Sequence, residues 1–388
     1  MKILKVLFFG LLGVLLLLLG MSAWFSPEGF PAGSVTDQRA AMARYSVHTE
    51  SLQLVDPTRV TQARNGVAEA SGREFKGKLF APISQKTSDN FPLLIYSHGF
   101  SSSHRGGVYL GEYLAAQGFV VAMIDFPLTN MQAEGGPYVK DVVNQPSDVS
   151  FLIDQLLARN TTPGDTLFGI IDSSRIGAMG VSLGGFTSTL LGYHPTLADA
   201  RIGAIVSIAG PSSLLMPRFF ETRSLPFMMI AGTYDVLVPY ETNALPITEK
   251  VPNAWLVSID RASHTAFAGP TAAFRFLDNV DVLGCWAVLR ATKNDLQEPW
   301  YDLLGDASTG INENDEVQVC TEPVPDAAMN VIQQQWITQV TVGAFFDLYF
   351  SHDPEVRAQA VQFLATHLSQ DVTEVSVIPP ALVQGTDA

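Results

Sequence analysis

Cysteine is almost absent from this chain of 388 residues, which holds only Cys285 and Cys320. A disulfide-rich framework is therefore excluded, and no His or Cys companions stand at zinc-ligand spacing beside them. No metal and no cofactor is expected. Basic residues are scarce too, 23 Lys plus Arg against 38 Asp plus Glu, for a formal net charge of −15. Such a surface repels a phosphate backbone, so nucleic acid is excluded as a partner. The acidic surplus is read as a solubility feature. The chain lacks internal repeats, and its acidic stretch 302–316 lacks EF-hand spacing, which makes it a solvated loop rather than a calcium site.

Long apolar runs are missing except at the start. Lys2 and Lys5 precede an apolar stretch over 6–25, unbroken from Leu15 to Leu19. At about 1.5 Å rise per residue this is enough to span a bilayer. No cysteine follows it, which excludes lipid attachment, and Gly20-Met21-Ser22 is a poor stand-in for an A-x-A cleavage site. Residues 1–25 are thus an export signal, cleaved as a signal peptide or kept as an N-terminal membrane anchor, and the poor cleavage site favours the anchor. In both cases the lysines stay inside and the remainder lies on the periplasmic or extracellular side. In that oxidising space Cys285 and Cys320 would join, stabilising the fold by roughly 3–4 kcal/mol through loop closure. Two separate buried thiols are the alternative.

What is present is a chain 47% hydrophobic, enough to bury a full core. Gly, Pro and Ser mark a linker over 26–43. Strand patterns follow at 45–55 and 74–80, the second alternating like a half-exposed edge strand. From residue 91 strands and helices alternate. Strand 92–98 leads to a helix holding Leu110, Tyr113 and Leu114, and strand 119–124 ends at Asp125. Val149, Leu152, Ile153, Leu156 and Leu157 fall at i, i+3, i+4, i+7 and i+8, one apolar helix face. Strands at 176–179, 202–208, 227–231 and 254–259 complete the series. Repeated units of this kind imply a mainly parallel sheet covered by helices on both faces, within one domain over 44–370. Only about fifteen residues separate the strands at 202–208 and 227–231, leaving room for a minimal lid and predicting an open cleft. Extra chain comes later, as an extension over 268–326 that holds both cysteines, Trp286, Trp300 and Tyr301. Two helices, 326–349 and 354–368, close the domain, with Asp353 capping the second and Pro354 at its first position. Residues 371–388 read as a flexible tail.

The chemistry starts at Gly180-Val181-Ser182-Leu183-Gly184, set between the apolar run 176–179 and a helical run over 186–191. A G-x-S-x-G at a strand-to-helix corner lifts a serine hydroxyl clear of the sheet edge, with glycine where a Cβ would obstruct. Alone the pentapeptide says little. Two further residues follow it in order: Asp235 after the strand 227–231, and His264 after the strand 254–259. A serine hydroxyl is a weak nucleophile that needs a base in reach, and the base needs an anion to hold its tautomer. Ser182 is therefore read as nucleophile, His264 as general base and then acid, and Asp235 as orienter. The oxyanion needs preorganised N–H donors. The backbone amides of Leu183 and of Phe100, in Ser97-His98-Gly99-Phe100 after the strand 92–98, are the candidates.

On these residues, with Gln145-Pro146-Ser147-Asp148-Val149-Ser150, Gly232-Thr233-Tyr234-Asp235 with Pro239, and Ser263-His264, the chain resembles the α/β-hydrolase superfamily. The branch is that of dienelactone-hydrolase-like, platelet-activating-factor-acetylhydrolase-like and PET-hydrolase-like serine esterases. The resemblance runs over about 91–264 and more loosely to 368. It implies an α/β-hydrolase fold with a mostly parallel eight-stranded sheet. It also implies a carboxylic ester hydrolase working through an acyl-enzyme on small-molecule, lipid or polymeric esters. Dienelactone hydrolases use cysteine where this chain has Ser182, which argues for ordinary ester cleavage. An acyltransferase on the same fold, or an inactive hydrolase-fold binding protein, are the alternatives. Oligomeric state is not legible.

Other candidates have plainer readings. His98 packs beneath the oxyanion loop, and His104 is a loop residue near enough in sequence to touch substrate. His48, His194, His352 and His367 are surface or structural. Asp260, four residues before His264, competes with Asp235 but would have to reach back from the same strand end. Asp125 and Asp148 are structural.

Overall fold

A computed structural model describes residues 26–84, 89–292, 302–315 and 318–381. The apolar segment 1–25, Trp300 and Tyr301 lie outside these residues. Among the described residues no helix is long and apolar enough to cross a membrane.

Along the chain come α1 (Val35–Ala41), β1 (Ser46–Asp56), β2 (Arg73–Ile83) and β3 (Phe91–Ser97). Next are α2 (Val108–Gln117), β4 (Val120–Ile124), α3 (Gln145–Asn160), β5 (Ile171–Val181) and α4 (Leu183–Tyr193). Strands β6 (Ile202–Ile208), β7 (Phe227–Gly232) and β8 (Ala254–Ile259) follow. The C-terminal part holds α5 (Asp281–Thr292), α6 (Val331–Phe350), α7 (Pro354–Gln362) and β9 (Val375–Ile378). The described strands form one sheet in the order β1-β2-β4-β3-β5-β6-β7-β8-β9. From β4 to β8 every pairing is parallel, while β1, β2 and β9 run antiparallel to their neighbours. This is the α/β-hydrolase fold.

Period-two alternation divides each central strand between two cores. In β3, Leu93 and Ile95 pack with Val149, Leu152 and Leu190 of α3 and α4 on one face. Leu94 and Tyr96 pack with Leu110 and Leu114 of α2 and with Phe345 and Phe346 of α6 on the other. Every residue of β3 is buried, which explains its unbroken apolar run. The helix face expected in α3 is the one that docks: Val149, Leu152, Ile153 and Leu156 are fully buried. Burying each such side chain stabilises the fold by about 1.5–3 kcal/mol.

The chain reverses direction across the sheet at β3, since β4 lies on one side of it and β5 on the other. Open parallel sheets bind ligands outside the carboxyl ends of the strands at such a point. The Ser97–Phe100 turn and the Ser182 corner both stand there.

Four expectations change. The sheet has nine strands among the described residues rather than eight, because β9 forms from the segment composition marks as a tail and pairs with β8. The alternating strand β2 is not an edge, since β1 covers its outer side over eleven residue pairs. The half-exposure of its pattern comes from Glu74 and Lys76 on one face. The linker 26–43 contains α1, which docks on the far end of the chain: Thr36 donates to Asp371 from both its amide and its hydroxyl at 2.9 Å, and Arg39 pairs with Asp347. Composition cannot show such partners, which lie more than 300 residues away. Finally, the last expected helix breaks into α7, a π turn over Phe363–His367 and a short helix over Leu368–Asp371. Asp353 does cap α7, accepting from the amide of Glu355 at 2.8 Å, with Pro354 following it.

Candidate active site

Ser182 stands between β5 and α4 at φ 57°, ψ −124°, a positive-φ backbone conformation rarely adopted by a residue with a Cβ. Two backbone bonds hold it there, from its own amide to Ile208 O at 2.8 Å and from the Phe186 amide to Ser182 O at 3.0 Å. The flanking glycines serve close approach. A Cβ on Gly180 would lie 2.3 Å from the backbone of Gly184, and one on Gly184 would lie 2.0 Å from Ser97 O. The strain therefore sits on the serine itself, while the glycines let β3, β5 and α4 meet at its base.

Ser182 lines a cavity of about 320 Å³ together with Phe100, Leu183, Leu237 and Val238. Leu183 is the first residue of α4, so its amide is one of the helix's unpaired donors and lies at the positive end of its dipole. Among the described residues neither that amide nor the amide of Phe100 donates a hydrogen bond.

Asp235 follows β7 and is buried. Its Oδ1 accepts from the amides of Leu237 at 2.9 Å and Val238 at 2.7 Å, the same two residues that line the cavity beside Ser182. Its Oδ2 lies 2.7 Å from His264 Nδ1. That contact makes Nδ1 the protonated nitrogen and leaves the Nε2 lone pair free to take a proton. Burial works against a charged His264, but the charge and hydrogen bond of Asp235, followed by the charge of Asp281, outweigh it and raise its pKa above the ordinary value.

Asp260 takes no part in this arrangement. Its side chain is 61% exposed and accepts from the Thr233 hydroxyl at 3.1 Å. His98 is fully buried beneath the Ser97–Phe100 turn: Nδ1 donates to Gly99 O at 2.8 Å and Nε2 accepts from the Phe126 amide at 3.0 Å. Burial lowers its pKa, so it stays neutral and fixes the turn. His104 contacts Asp125 at 2.9 Å, and Asp125 also caps the His104 amide. His194 is buried with Nε2 2.8 Å from Leu304 O, while His48 and His352 are on the surface. Asp148 lies in a buried network with Arg73 and Asp141 that ties β2 to α3.

Two features escape a reading of the sequence. The extension is not remote from the cleft, because Val288 and Thr292 of α5 and Asn314, Asp315, Gln318 and Val319 wall the cavity. The expected open cleft is covered from that side, although the segment between β6 and β7 supplies only Pro211 and Ser213. In this wall Cys285 and Cys320 are joined, with Cα atoms 5.8 Å apart, and the Cys320 amide donates to Val236 O next to Asp235 at 2.7 Å. The second is Asp281. It is fully buried, and its two oxygens accept from the amides of His264 at 3.0 Å and Thr265 at 2.6 Å. Its only trace in the sequence is an acidic residue at a helix start, which is common enough to pass unnoticed.

With this geometry in view, residues 41–276 match the model of the PET hydrolase-like family, more than half of the chain. The chain belongs to that family. Among curated proteins it is similar to a bis(hydroxyethyl) terephthalate hydrolase of Streptomyces coelicolor, 28% identical over 188 residues, covering 48% of this chain and 52% of that protein. It is also similar to Cutinase 1 of Thermobifida cellulosilytica, 24% identical over 194 residues, 49% of this chain and 65% of that one. A cutinase of Thermobifida fusca matches at 24% over 194 residues, 49% and 57% of the two chains. This PET hydrolase-like chain thus spans between about half and two thirds of the length of these relatives. A solved ferulic acid esterase from Streptomyces cinnamoneus aligns at TM-score 0.49 and 19% identity, over 81% of this chain and 95% of that one.

Proposed function

We propose that the protein is an exported serine esterase that cleaves uncharged carboxylic esters through an acyl-enzyme. The observation that carries the reading is the buried 2.7 Å contact from Asp235 to His264, made by an aspartate whose other oxygen is held by residues lining the Ser182 cavity. Ser182 Oγ attacks the ester carbonyl while His264 Nε2 takes its proton. The tetrahedral oxyanion accepts from the amides of Leu183 and Phe100, a contribution of about 10²–10³ in rate per donor. The C–O bond to the alcohol then breaks, and the alcohol leaves with the proton from His264. Water, deprotonated by His264, attacks the acyl-enzyme, releasing the acid and restoring Ser182. Asp235 keeps the imidazole in its productive tautomer throughout. No metal or cofactor enters the scheme.

The cavity wall supports a neutral substrate. It includes one carboxylate, Asp315, and no lysine or arginine among the described residues. Lys250, on which the charge of Asp315 acts, donates to the carbonyls of Ser212 and Ser213. Family membership and the terephthalate-ester and cutin hydrolases among its relatives favour small or polymeric esters over peptides. The reading is tested with purified protein on nitrophenyl esters from C2 to C16 and on bis(hydroxyethyl) terephthalate. Hydrolysis blocked by a fluorophosphonate is expected. A well-folded protein that hydrolyses none of them would overturn it.

A further inference from the structure

We propose that Asp281 is a positioning residue for the catalytic base, its buried carboxylate clamping the main chain at His264 and Thr265. The inference rests on the esterase reading and adds a fourth side chain to its machinery. A buried aspartate needs hydrogen bonds for both oxygens, and here each oxygen takes one amide, from His264 and Thr265 in succession. The carboxylate thus fixes the peptide plane that carries the imidazole. It is itself held, because its own amide donates to Asn279 Oδ1 at 2.9 Å and Asn279 Nδ2 donates to Pro325 O at 3.0 Å.

Other elements grip the same loop with neutral groups. On α6, Gln334 accepts from the Ser263 amide at 3.1 Å and donates to Ser263 O at 2.8 Å, while Gln335 donates to Ala266 O and Ala268 O. Among the described residues the charged groups that act on the imidazole are Asp235 and Asp281, with Asp260 and Arg261 nearby in sequence but exposed. Gln334 and Gln335 can restrain the loop without changing the proton affinity of the base. Asp281 does both, through charge-assisted bonds and through its field. It comes from the extension, which accordingly braces the base as well as walling the cavity.

The test compares wild type with Asp281→Asn, a nearly isosteric change that removes the charge and one acceptor. Turnover, KM, melting temperature and the pH dependence of fluorophosphonate labelling are measured, with rates normalised to labelled sites so that misfolded protein does not count. The expected result is a loss of about 10- to 100-fold in kcat with little change in KM, the scale of a misplaced catalytic group. The acid limb of the labelling profile moves to lower pH, because one anion favouring the imidazolium is gone. Gln334→Ala, which loosens the loop without altering charge, should lower kcat and leave that limb in place. An Asp281→Asn profile superimposable on wild type, or a fall in melting temperature alone, would overturn the proposal while leaving the esterase reading intact. Failure of the wild type to be labelled would instead remove that reading.

Discussion

Asp235 Oδ2 lies 2.7 Å from His264 Nδ1, while Asp260, four residues before that histidine, faces solvent. Orientation of the base by Asp235 predicts that Asp235→Asn presents an amide N–H to the imidazole, forces the wrong tautomer, and lowers kcat by up to about 10⁴. Asp260→Asn should be close to wild type. Steady-state kinetics with melting temperatures separate the two, since an isosteric amide leaves no cavity to blame.

The pH dependence follows from the same pair. On the proposed mechanism His264 must be neutral to accept the serine proton, and its pKa is raised by Asp235 and then Asp281 against the opposing effect of burial. A raised pKa means that the neutral form is reached only at higher pH. Activity should therefore fall as pH drops through a midpoint above the ordinary imidazole value of about 6.5. A kcat/KM profile checks this, and full activity at pH 5 would contradict it.

Much of this candidate site is legible in the sequence because each element carries its own local signal. The elbow is a pentapeptide, and Asp235 and His264 each follow a short apolar strand, so order along the chain substituted for distance. The central parallel strands were legible for a similar reason, being unbroken apolar runs. What failed depends on contacts made across the fold. Helix α1 is a short amphiphilic segment whose partners, Asp347 and Asp371, lie at the other end of the chain. Strand β9 is four residues long and exists by pairing with β8. The cavity wall and Asp281 belong to an extension with little periodicity, whose place is set by packing against Val236 and Leu237 and by its junction at Cys320.

That junction predicts a stability effect and a binding effect together. The bond between Cys285 and Cys320 closes a separation of 35 residues and joins α5 to the strip beside Val236. Replacing both cysteines by serine should cost roughly 3–4 kcal/mol in the chain-entropy account. It should also raise KM more than it lowers kcat, because the loosened part is the cavity wall. Thermal unfolding and kinetics of the double variant check both. Two free thiols in the unfolded, unreduced protein would contradict the bridge.

Charge in the cavity predicts selectivity. Asp315 lines it and accepts from the Ser213 hydroxyl at 2.7 Å. An anionic substrate end is therefore disfavoured, so a neutral terephthalate diester should be cleaved faster than the half-ester that bears a free carboxylate. Asp315→Asn should raise kcat/KM for the half-ester by roughly 3- to 10-fold relative to the diester, the scale of one partly screened charge. An unchanged ratio would place the substrate away from Asp315.

The central claim is that Ser182 is the nucleophile, and covalent labelling tests it without assuming a substrate. Purified protein is treated with a fluorophosphonate and digested, and the modified residue is located by mass spectrometry. The account predicts one stoichiometric adduct on Ser182, and no labelling of a Ser182→Ala variant that folds with an unchanged melting temperature. An adduct on another residue, or labelling that persists in that variant, would contradict it.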